Sequence, residues 1–139
     1  MMIKRILLIA SLMMATCGIS YAEVAVIVNS ANGASIDQGD IKKLFLGKAK
    51  KFSDGSSATP VNLPANSALR EAFDNQALGK SPQQMKSYWS KLIFTGKGQP
   101  PEELADDAAV IQWVTSNADA IGYIDAASAT ADVKVIATY

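Results

Sequence analysis

The chain has 139 residues with 13 basic and 13 acidic side chains, one cysteine and no histidine. That balance excludes the basic footprint on which nucleic-acid binding depends. Without histidine a Ser–His triad is ruled out, and zinc and other transition-metal sites are disfavoured.

Lys4 and Arg5 form a positive leader region, Ile6 to Met14 an apolar run, and Ser20-Tyr21-Ala22 supplies the small residues of a cleavage site. The pattern predicts a secretory signal peptide over 1–22 and an exported, periplasmic domain over 23–139. Met14-Ala15-Thr16-Cys17 is a weaker lipoprotein-like alternative. Cys17 leaves with the leader, so the remaining domain has neither disulfide nor thiol chemistry. It is slightly acidic once Lys4 and Arg5 are gone. It keeps no apolar run of membrane-spanning length, so it is not expected to be membrane-embedded.

Glu23 to Asn29 is β-branched and apolar, as in a strand covered on both faces. Ser30 to Ala34 reads as a turn. Asp37 caps a helix over Gln38 to Leu46 whose Ile41, Leu44 and Phe45 form one stripe, and Gly47 ends it. Lys48 to Lys51 is a basic connector, and Ser53-Asp54-Gly55 a turn. Ala58 to Leu63 is a strand, with Pro60 pointing to an edge or a strand start. A helix runs from Ser67 to about Leu78 and stops at Gly79. Ser81-Pro82 opens another, striped with Met85, Tyr88, Trp89 and Leu92. Thr95 to Pro101 is a loop, and Glu102 and Glu103 are expected to begin the next helix, which carries Val110, Ile111 and Val114 and ends near Asn117. Ala120 to Ile124 and Val133 to Ile136 are the last strands. Alternating helices and strands indicate an α/β layer domain.

Little of this carries reaction chemistry. The pairs Glu102-Glu103 and Asp106-Asp107 read as solvated helix residues, and Asp37 and Asp40 as cap and first-turn charges. Gly96-Lys97-Gly98 lacks the spacing and the Ser/Thr of a P-loop. Trp89, Phe94 and Trp113 read as core or loop anchors, and Lys48, Lys50 and Lys51 as a solvated rim. The exception is Ser67-Ala68-Leu69-Arg70, at a strand-to-helix junction. A capping serine, unpaired first-turn N–H groups and a nearby guanidinium suit an oxyanion. Local chemistry leaves two readings open there: an anion site, or a plain helix start worth ~1 kcal/mol.

Three segments in order carry a family resemblance. Asp40-Ile41-Lys42-Lys43-Leu44-Phe45-Leu46-Gly47-Lys48 resembles the "D-I-x-x-I-F-L-G-K" helix of the phosphate-binding proteins of ABC transporters, and Phe52-Ser53-Asp54-Gly55 the turn that follows it. Ser67-Ala68-Leu69-Arg70-Glu71-Ala72-Phe73 is similar to their "S-G-T-x-x-x-F" ligand loop and helix. Ala120-Ile121-Gly122-Tyr123-Ile124 looks like their "A-I-G-Y-V" strand. The resemblance implies a single lobe, the second, of a type II periplasmic-binding-protein-like fold, with a mixed sheet flanked by helices. Two departures stand out. The family's arginine four residues before the ligand serine is Leu63 here, and its "G-T" is Ala68-Leu69.

The expected function is therefore a non-enzymatic, cofactor-free, solute-binding-like protein linked to ABC-transporter phosphate uptake. Ser67, Ala68, Leu69 and Arg70 would hold phosphate or a similar oxyanion. The alternative is an interaction or homodimerisation module that has lost phosphate binding and uses an uncovered face near Leu63, Leu69 and Phe94 to meet a second copy or a periplasmic partner.

Overall fold

A computed structural model describes residues 23–139. The expected signal peptide, 1–22, lies outside the described residues. Elements follow in the order β1 (Val24–Asn29), α1 (Gln38–Phe45), β2 (Thr59–Asn62), α2 (Ala68–Phe73), a π-helical turn (Asp74–Leu78), α3 (Pro82–Phe94), β3 (Glu102–Glu103), α4 (Asp107–Ser116), β4 (Ala120–Asp125), a short 3-10 turn (Ala126–Ser128) and β5 (Val133–Thr138). No described helix is long and apolar enough to cross a membrane.

The five strands form one mixed sheet in the order β3-β2-β4-β1-β5. β1 is antiparallel to β4 and β5, whereas β2 runs parallel to β4 and β3. The two central strands β1 and β4 are buried along almost their whole length, which explains their unbroken apolar sequence. Gly122 in β4 is a contact requirement. A Cβ there would lie 2.7 Å from Val110 and 3.0 Å from Val61. The bare backbone lets α4 lie directly on the sheet.

Helix starts follow the sequence closely. Asp37 and Asp40 form a capping box on α1, and Ser81 and Gln84 form another on α3 with Pro82 at its first turn. Gly79 closes the second helical segment with φ of +67°, a conformation that favours glycine.

Three expectations are corrected. Glu102 and Glu103 do not start a helix. They pair in parallel with Val61 and Asn62, and Leu104 N–H donates to the Asn62 carbonyl at 2.7 Å. The helix begins later because Asp106 supplies the cap, its Oδ1 accepting from Ala109 N–H at 2.9 Å. β2 is consequently not an edge strand; Pro60 stands at the strand start, the other place expected of it, and is tolerated there because β3 covers only Val61 and Asn62. Phe94 anchors nothing, being 92% exposed at the end of α3.

Candidate functional site

Ser67 caps α2, its Oγ accepting from Arg70 N–H at 3.3 Å, while its own N–H closes a turn onto the Pro64 carbonyl at 2.9 Å. Among the described residues neither the Ala68 nor the Leu69 N–H meets an acceptor. These are the orphan donors expected in any first helical turn. Ser67 sits on the wall of a cavity of about 760 Å³ between the starts of α2 and α4, with Leu63, Asn66, Asp106, Asp107 and Ser128. Both aspartates are partly engaged. Asp106 caps α4, and Asp107 Oδ2 accepts from Asp125 N–H at 3.0 Å.

Arg70 is not brought to that cavity. It is 8% exposed and lines a different one, on the α3 side of α2. Its Nη1 donates to Glu103 Oε1 at 2.6 Å and to the Leu63 carbonyl at 3.0 Å, and its Nε lies 3.7 Å from Asp74 Oδ2. Helical geometry explains the direction. Ser67 and Arg70 belong to one turn, and the arginine side chain follows Asp74, four residues on, along the face that packs toward α3.

Sequence reasoning missed the acids that take Arg70. Asp74 was readable as an i, i+4 partner, but Glu103 arrives from β3, distant in the chain. Asp74 is 2% exposed, and its Oδ1 meets no donor. Burial pushes its pKa up from 3.8 to about 6, against the lowering pull of Arg70. A raised carboxylate means that the folded protein binds more protons than the unfolded chain between those two values. The penalty is complete above pH 6 and absent below the unfolded value. Unfolding free energy is therefore expected to rise as pH falls from 7 to 5, by up to about 1 kcal/mol per pH unit, with the thermal midpoint rising alongside it, and Asp74→Asn is expected to flatten that slope in calorimetric scans.

A second buried network fixes the segment leading to Ser67. The Tyr123 hydroxyl donates to Asn62 Oδ1, and the Leu63 N–H is shared between Asn62 Oδ1 at 3.1 Å and the Tyr123 oxygen at 3.3 Å. Burial holds the Tyr123 hydroxyl well above its ordinary pKa, so it acts as a proton donor throughout the stable range.

The remaining candidates lie apart from this site. The Phe52–Gly55 turn closes on itself, with Ser56 donating to Asp54 Oδ1 from N–H at 2.9 Å and from Oγ at 2.5 Å. These bonds hold the Asp54 carboxyl below its usual range. Lys48, Lys50 and Lys51 are exposed. Leu63 and Leu69 belong to the core, so the apolar face expected around them is already covered, whereas Phe94 and its neighbour Ile93 are exposed.

No family model matches the chain, and no curated protein matches it. Solved structures do. An ABC-type phosphate transport receptor from Vibrio cholerae matches with TM-score 0.64 and 19% identity, over 83% of this chain and 46% of that one. A putative phosphate ABC transporter substrate-binding protein from Clostridium perfringens, with bound phosphate, matches with TM-score 0.60 and 20% identity, over 83% and 45%. A possible phosphate binding protein from Planctomyces limnophilus matches with TM-score 0.57 and 14% identity, over 83% and 41%. The chain thus spans less than half the length of each. At such identities the likeness defines the fold: a single lobe of a type II periplasmic-binding-protein-like architecture, with a five-stranded mixed sheet between helices.

Proposed function

We propose that the chain is an exported, non-enzymatic solute-binding-like protein that takes an oxyanion, phosphate foremost, at the Ser67 turn, in the periplasm and in connection with ABC-transporter phosphate uptake. The observation that carries this reading is the pair of unengaged amides of Ala68 and Leu69 in the turn that Ser67 caps, Ser67 itself lining a cavity of about 760 Å³. Those groups are oriented donors needing an acceptor. The fold is shared with a protein whose structure contains phosphate. Arg70 stays out of the anion's reach: its guanidinium is bonded to the Leu63 carbonyl and its charge is taken by Glu103.

This geometry makes a weak and selective site. Among the described residues no Lys or Arg lines the cavity, and Asp106 and Asp107 repel a fully ionised anion while their free oxygens accept from one that retains a proton. At neutral pH phosphate retains a proton and sulfate does not. Titration calorimetry on residues 23–139 is expected to show millimolar phosphate binding, weaker sulfate binding, and a loss of roughly fivefold on Ser67→Ala, the value of one hydrogen bond of about 1 kcal/mol. No heat at tens of millimolar phosphate, or an unchanged Ser67→Ala titration, overturns the reading. A protein-interaction role is the second reading, favoured by Phe94, 92% exposed beside Ile93. A phosphate-blind chain that elutes as a dimer, and as a monomer after Phe94→Ala, would establish it instead.

A further inference from the structure

We propose that the cavity between α2 and α3 is a second binding site, for a small molecule that joins a primary ammonium group to a short apolar body. The cavity measures about 520 Å³; Met85, Trp89 and Ile93 of α3 form its apolar wall, and Arg70, Asp74 and Glu103 its polar end. It is separate from the Ser67 cavity and does not depend on phosphate binding there.

The charges set the class of ligand. Arg70 is already held by Glu103 at 2.6 Å, so its guanidinium is compensated by a carboxylate that is itself half exposed. Asp74 is the surplus charge. It is 2% exposed, lies 3.7 Å from Arg70 Nε, and its Oδ1 meets no donor. A buried carboxylate oxygen without a partner costs stability, and a donor that reaches it recovers much of that cost. Lys86 also lines the cavity, but from an exposed position. An ammonium group carries three donors, enough to engage Asp74 and the outer oxygen of Glu103 together. Trp89 adds an aromatic face to which a cation is attracted. Met85 and Ile93 take the apolar body, as small-molecule sites generally pair an apolar wall with a few convergent polar groups. A carboxylate ligand meets repulsion from the same two acids, and an alcohol gains only the apolar contact.

Acid should close the site. Asp74 is faced by Arg70 from α2 and Tyr123 from β4, shares the cavity with Glu103 from β3 and Lys86 from α3, and burial holds its pKa up at about 6. Protonation below that value removes the surplus charge that holds the ammonium group.

The test uses n-hexylamine, n-hexanol and hexanoate as probes against ¹⁵N-labelled protein of residues 23–139. The chain has two tryptophans, so the Trp113 indole signal is an internal control for Trp89. At pH 8 hexylamine is expected to shift the Trp89 indole and the Asp74 amide, leave Trp113 in place, and bind at least about fivefold more tightly than hexanol or hexanoate. The preference is expected to fall at least about threefold at pH 5. Asp74→Asn should abolish it, and Glu103→Gln, at an exposed position that leaves folding intact, should weaken it. Equal binding of hexylamine and hexanol, tighter binding of hexanoate, no shift at Trp89, or an unaltered preference in Glu103→Gln each overturns the proposal.

Discussion

Arg70→Ala is expected to lower stability by about 3 kcal/mol at pH 8, the usual consequence of removing one partner of a buried ion pair. For a domain of this size that is a fall in Tm of roughly 10 °C or more. The loss has two sources. The Leu63 carbonyl forfeits a buried donor at 3.0 Å, and Asp74, 2% exposed, loses the cation 3.7 Å from its Oδ2. Glu103 matters less, since it is half exposed and water replaces the guanidinium. The two sources separate by pH. With Arg70 gone Asp74 titrates still higher, so the deficit is expected to shrink on acidification to pH 5, where the carboxyl is neutral in either protein. Arg70→Ala with Asp74→Asn should recover part of the loss at pH 8, and the coupling in that double-mutant cycle measures the pair itself. Thermal denaturation by circular dichroism reads all of these. A deficit that is flat in pH assigns the stabilisation to the Leu63 contact alone. The folded fraction of Arg70→Ala should still bind phosphate within about twofold of the parent, because the guanidinium lines a different cavity from Ser67.

The parts of this molecule legible in the sequence are those decided by neighbours along the chain. Asp37, Ser67 and Ser81 each cap a helix because a short polar side chain reaches a backbone N–H three residues on. Gly79 ends its helix because it alone adopts the required backbone twist cheaply. The apolar runs of β1 and β4 gave away their burial, and the segments Asp40 to Lys48 and Ala120 to Ile124 carried enough local pattern to point to the right architecture. What escaped was decided across the chain. Glu102 and Glu103 carry first-turn charges suited to a helix, but the open edge of β2 offers Val61 and Asn62 as partners, and pairing with them wins. Arg70 looks like an anion-binding side chain until Glu103, 33 residues away, is folded against it. Phe94 continues an apolar run at the end of α3, and hydrophobicity alone does not reveal that no other element among the described residues covers that turn.

Phe73 and Phe94 show the largest contrast that follows from that distinction. Phe73→Ala is expected to cost about 3–5 kcal/mol, whereas Phe94→Ala is expected to change stability by no more than about 0.5 kcal/mol. Phe73 is fully buried, stacked on Tyr123 with ring centroids 3.9 Å apart and meeting Phe45 edge-on at 4.8 Å. Removing its ring opens a cavity that three elements cannot close together. It also removes the surface that holds Tyr123 flat, and the Tyr123 hydroxyl is what engages Asn62 and the Leu63 N–H just before the Ser67 turn. Stability and site geometry are thus coupled through one aromatic stack. Denaturant titration gives the stability term, and amide hydrogen exchange gives the coupling. In Phe73→Ala the Leu63 amide should exchange faster than the global loss accounts for. In Val114→Ala, a core truncation on α4 beside Gly122 of β4, Leu63 should follow the global loss alone. If Leu63 tracks global stability in both variants, the stack fills the core without steadying the segment that leads to Ser67.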